Sequence, residues 1–62
     1  MDERIKVGTI LVDSNDETHY LKVSGILEEM IFTRRYTNEG VGPYEGPHDP
    51  EDLFTFGFKV KE

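Results

Sequence analysis

The residues LFTFGFKVKE, at positions 53–62, alternate strictly. Phe54, Phe56, Phe58 and Val60 fall on one parity, and Leu53, Thr55, Gly57, Lys59 and Lys61 on the other. Period two predicts a strand with one buried face. Three in-register phenylalanines, each burying about 150–250 Å², would then supply much of the core. Gly57 on the opposite parity marks a bulge or a close approach of another group. THYLKVSG, at 18–25, carries the same signature: Leu21 and Val23 share one face, and Tyr20, Lys22 and Ser24 the other. RIKVGTILVD, at 4–13, alternates at Ile5 and Val7 and then runs continuously through Ile10, Leu11 and Val12. The parity change at Gly8 and Thr9 predicts a bend or bulge. DSNDE, at 13–17, is turn-forming and joins these two segments as a hairpin.

Residues 26–37, ILEEMIFTRRYT, satisfy two periodicities. As a helix, Ile26, Leu27, Met30 and Ile31 make one stripe, with Glu28 and Glu29 near its start and Arg34 and Arg35 near its end, which suits the helix dipole. That stripe excludes Phe32 and Tyr36. As a strand, Ile26, Met30, Phe32 and Tyr36 share parity, and IFTRRYT is rich in β-branched and aromatic residues. A strand over 30–37 is expected, with a helix over 25–36 as the alternative. Residues 38–52 hold all three prolines and read as a Gly/Pro-rich loop covering an open end of the sheet, with Tyr44 as its plug. Its DPED stretch has the grammar of a helix start, Asp49 as cap and Pro50 at the first position, enough for one short helical turn.

These elements predict a mainly β fold: one domain over residues 1–62, an antiparallel sheet of about four strands that can curl into an SH3-like barrel. The alternative is an α+β arrangement, β-β-α-β. No cysteine is present, so disulfides and thiolate metal sites are excluded. There is no apolar run of membrane-spanning length, and the first residues lack the apolar core of a secretion signal. A complete gene product of the cytoplasm, without membrane association, is expected.

The net charge of −6 disfavours direct contact with a phosphate backbone and favours a basic partner. His48, Asp49, Glu51 and Asp52 match no metal-ligand spacing, so no metal or cofactor is expected. His19 has no nucleophile motif to serve, and a single small sheet rarely encloses a pocket, so no enzyme is expected either. Arg34, Arg35, Phe32 and Tyr36 mix residue types enriched at interface hot spots. With the loop residues Glu39, Tyr44, Glu45, Glu51 and Asp52 they form the candidate partner-binding set. The expected function is a small acidic protein–protein interaction module, an inhibitor or regulator of a larger enzyme of the kind phage or mobile-element genes encode. A structural homo-oligomer, in the simplest case a homodimer, is the alternative. A nucleic-acid-binding small β-barrel comes third.

Overall fold

The computed structural model describes residues 5–61. Five strands form one antiparallel sheet: β1 (Ile10–Asp13), β2 (Asp16–Leu27), β3 (Met30–Thr37), β4 (Gly40–His48) and β5 (Phe58–Val60), in the spatial order β4-β3-β2-β1-β5. A single short helix, α1 (Pro50–Thr55), lies between β4 and β5 in sequence. The first four strands are a meander joined by two-residue turns. Asp13 accepts from the Asn15 amide in the first turn, and Thr37 Oγ1 accepts from the Glu39 amide in the third. In the second, Glu28 takes φ 58°, a left-handed conformation that L-residues with a Cβ adopt at a cost. The expected strand over 30–37 is β3. The helical alternative over 25–36 is contradicted, because Phe32 and Tyr36 pair across to Gly25 and Tyr20 in a β ladder.

The chain leaves β4 at one edge of the sheet and passes through α1. It returns as β5 beside β1 at the opposite edge. The sheet does not close, so the barrel expectation fails: β4 and β5 remain two separate edges. The inner face carries the core, Leu11, Leu21, Val23 and Ile31, to which Ile5 and the helical Leu53 are added. A bulge at Ser24, between Val23 and Gly25, shifts parity so that Ile26 joins the same cluster. Thr33 is fully buried in this face, and its hydroxyl has no hydrogen-bond partner among the described residues.

Three further expectations are corrected. Residues 40–48 are strand, not loop, because an edge strand needs only one paired side and so tolerates Pro43 and Pro47. Gly46 is required there: at φ 131° an added Cβ would lie 2.9 Å from the Ile31 carbonyl oxygen. The alternating run from Leu53 is not one strand. Asp49 caps α1 by accepting from the Glu51 amide, Pro50 occupies the first turn, and the helix carries on to Thr55. Its period buries Pro50 and Leu53 and leaves Phe54 half-buried; Phe56, just past the helix, is 77% exposed, and Phe58 is half-buried at the start of β5. The initial Ile5–Val7 alternation also breaks. Residues 6–9 form a tight turn, with the Thr9 amide donating to Lys6 O and Gly8 at φ 96°, which leaves Val7 exposed. Arg4, the first residue of that predicted segment, lies outside the described residues, as do residues 1–3 and Glu62.

Candidate functional site

Because α1 covers only the inner face, the outer face of the sheet is open. Register and pleat place its residues in rows across the strands. One row reads Tyr44, Arg34, Lys22, Ile10 and Lys61 from β4 to the end of β5. The next reads Val41, Tyr36, Tyr20, Val12 and Lys59. Phe32 lies beyond them, where the glycines at 25 and 46 make room for its ring. All three tyrosines of the chain are on this face, as are four of its seven Lys and Arg residues. No acidic residue holds a position in either row. Among the described acids Asp16 alone shares the outer parity, at the first position of β2 beyond both rows; the others lie in the turns, in and before α1, or on the inner side of the sheet. A chain of net charge −6 therefore keeps one face cationic.

The aromatic groups of this face are already organised. Tyr20 and Tyr36 stack across β2 and β3 with centroids 5.0 Å apart and planes 4° from parallel. The Arg34 guanidinium lies 4.6 Å from the centroid of the Tyr44 ring. Its Nε donates to Gly42 O at 3.1 Å and its Nη1 to the Tyr44 hydroxyl at 3.3 Å. These partners are neutral, and among the described residues no carboxylate pairs with the arginine. Lys22, Lys59 and Lys61 make no ion pair among the described residues. Between β2, β3 and β4 a shallow cavity of about 150 Å³ is lined by Lys22, Ser24, Arg34, Tyr36 and Tyr44.

The candidate set read from sequence is thus divided in three. Phe32, Arg34, Tyr36 and Tyr44 lie together on the outer face. Tyr44 is 66% exposed there, which overturns its expected role as a plug. Arg35 and Glu45 lie on the inner side as an ion pair, with Arg35 Nη2 2.9 Å from Glu45 Oε1 and both side chains about one-third exposed. Arg35 also contacts His19, whose ring packs edge-on against Phe58 at 5.9 Å, and Asp13 lies 4.0 Å beyond the histidine. Glu39 is in the β3–β4 turn, and Glu51 and Asp52 are exposed in the first turn of α1. The acidic stretch is therefore not one patch. His48 ends β4 while Asp49 caps the helix, and among the described residues no three His, Asp or Glu side chains are grouped to hold a metal ion.

Sequence reasoning missed Tyr20, Lys22, Ser24, Lys59 and Lys61 as site residues. The signal was present in segment 18–25, where Tyr20, Lys22 and Ser24 share the polar parity. Only the register joins them to Arg34, Tyr36 and Tyr44.

Among the described residues no helix is long and apolar enough to cross a membrane. The chain matches no family model, and comparison with curated proteins and with solved structures finds no similar one.

Proposed function

We propose that the protein is a small interaction module of the cytoplasm that acts by binding and not by catalysis, and that it regulates a larger protein by docking the outer face of its sheet on an acidic segment of that partner. The single observation supporting this reading is the gathering of Lys22, Arg34, Lys59 and Lys61 with all three tyrosines on a face that no element among the described residues covers. Holding like charges together in this way costs folding energy through repulsion, and an anionic partner relieves it. Stacked tyrosines with few rotatable bonds are rigid anchors of the kind that dominate interface energetics. Five strands at a spacing of about 4.8 Å make the face roughly 20 Å across, the length of about six extended residues. The contact is small, so the complex is a transient one.

An acidic protein segment is favoured over single-stranded nucleic acid for two reasons. Base stacking needs free ring faces. Here one face of each ring is already taken, Tyr20 and Tyr36 by each other and Tyr44 by Arg34, which halves the stacking surface on offer. The acids around the face also repel a long polyanion. A second copy of the chain is a poor occupant, since face-to-face pairing sets four cations against four.

The test is affinity capture from the source cell with the wild type, the variant Lys22→Gln/Lys59→Gln/Lys61→Gln, and the variant Glu39→Gln/Glu51→Gln/Asp52→Asn. The first variant is expected to lose the captured protein and the second to retain it. The opposite result would return the contact to the acidic residues and a basic partner. Loss of a bound single-stranded oligonucleotide, with no protein captured by the wild type, would replace this reading by the nucleic-acid one.

A further inference from the structure

We infer that the outer-face cavity is a phosphate-binding site, and that it takes a phosphorylated side chain of the partner segment; the inference rests on the outer face being the docking surface. Every described residue lining the cavity carries a donor group: the ammonium of Lys22, the guanidinium of Arg34, and the hydroxyls of Ser24, Tyr36 and Tyr44. Among the described residues no carboxylate lines it. Lys22 and Arg34 face each other across β2 and β3, and Tyr44 faces Arg34 across β3 and β4. Bonds from Nε to Gly42 O and from Nη1 to the Tyr44 hydroxyl fix the guanidinium in place. Because the Tyr44 oxygen accepts from Arg34, its own proton is free to donate to a ligand. Ser24 sits at the bulge of β2 and lines the same cavity.

The number and charge of these donors select the ligand. A phosphomonoester carries about −1.5 to −2 charges near neutral pH and three strong acceptor oxygens, matching two cations and three hydroxyls. A carboxylate carries one charge and two oxygens, which leaves a cation uncompensated and hydroxyls unused. A phosphodiester likewise carries one charge. The cavity, about 150 Å³, equals roughly five water volumes, room for one phosphoryl group.

The test is an amide NMR titration of the intact chain at constant ionic strength and near-neutral pH, with O-phosphoserine, with acetate, and with a single-stranded oligonucleotide. Phosphoserine is expected to give saturable shifts centred on Lys22, Ser24, Arg34, Tyr36 and Tyr44, with acetate weaker by about tenfold. Lys22→Gln and Tyr44→Phe should each weaken the phosphoserine response several-fold while the spectrum keeps its native dispersion. Tyr44→Phe keeps the ring beneath Arg34 and carries the test if the lysine variant unfolds. An unsaturable phosphoserine response, an equal response to acetate, tighter binding of the oligonucleotide, or a response unchanged in the variants would overturn the inference. If phosphoserine fails while the triple lysine variant still loses its captured protein, this site is refuted and the docking face stands. If phosphoserine binds and capture does not depend on the lysines, the docking face is refuted instead.

Discussion

Replacing Leu53 or Phe56 by alanine separates a helix at 50–55 from the continuous strand that alternation suggests. Leu53 is 6% exposed and packs into the core from α1, whereas Phe56 is 77% exposed just past the helix end. Leu53→Ala removes three buried carbons, and such changes cost about 2–5 kcal/mol. Its place at the margin of the core sets the expected loss at the lower end, about 2–3 kcal/mol. Alanine is the better helix former, so none of that loss comes from helix propensity. A 62-residue chain at about 0.05–0.15 kcal/mol per residue has only about 3–9 kcal/mol in total. At about 4–8 °C per kcal/mol the midpoint of thermal unfolding should fall by roughly 10–20 °C. Phe56→Ala should change stability by no more than about 0.5 kcal/mol. Urea unfolding followed by circular dichroism, checked by a thermal melt, measures both. A greater loss for Phe56→Ala than for Leu53→Ala would refute the helix and restore a strand with its phenylalanines inside.

Four other outcomes are expected. Thr33→Val should raise stability by about 1 kcal/mol, because it removes a buried hydroxyl that has no partner among the described residues; urea unfolding would show it as a higher midpoint. Gly46→Ala should cost more than about 1 kcal/mol, since positive φ and the Ile31 carbonyl both oppose a Cβ, and the same assay reads it. Tyr44→Ala should leave the melting midpoint nearly unchanged while weakening partner binding by titration calorimetry, as a plug residue would not. The Asp16 carboxyl is held below the ordinary aspartate range by hydrogen bonds from the Thr18 hydroxyl and then the Thr18 amide. Its stabilising contribution is therefore present from neutral pH down to the ordinary aspartate range and is lost as pH falls through the depressed value. Thr18→Val should move the carboxyl part of the way back up in an NMR titration, the amide bond remaining.

Segments with one buried face were legible in the sequence. Leu21 and Val23 opposite Tyr20, Lys22 and Ser24 gave both β2 and half of the outer face, because a half-buried strand writes its pleat directly into the chain. Strand β4 was hidden because Gly42, Pro43, Gly46 and Pro47 weaken every strand signal. Their tolerance depends on an edge position, which only the completed sheet defines. At 53–58 two grammars competed. The Asp49 cap and Pro50 set a helical period that carried Leu53 inward, and the apparent alternation of the phenylalanines was overridden. The candidate site was legible by segment and not as a surface. Arg34, Tyr36 and Tyr44 could be named, yet their separation from Arg35 and Glu45, and their union with Lys22 and Lys59, follow from cross-strand register.

The central claim is that the open outer face, and not the acidic residues of the turns and helix, meets the partner. Cross-saturation NMR on the complex with the captured protein tests it most directly, because it maps contact without mutation. The account predicts intensity loss confined to that face, with Tyr20, Lys22, Arg34, Tyr36, Tyr44, Lys59 and Lys61 affected and Glu51, Asp52 and Leu53 of α1 unaffected. A footprint on α1 and the β3–β4 turn, with the outer-face rows silent, would contradict it.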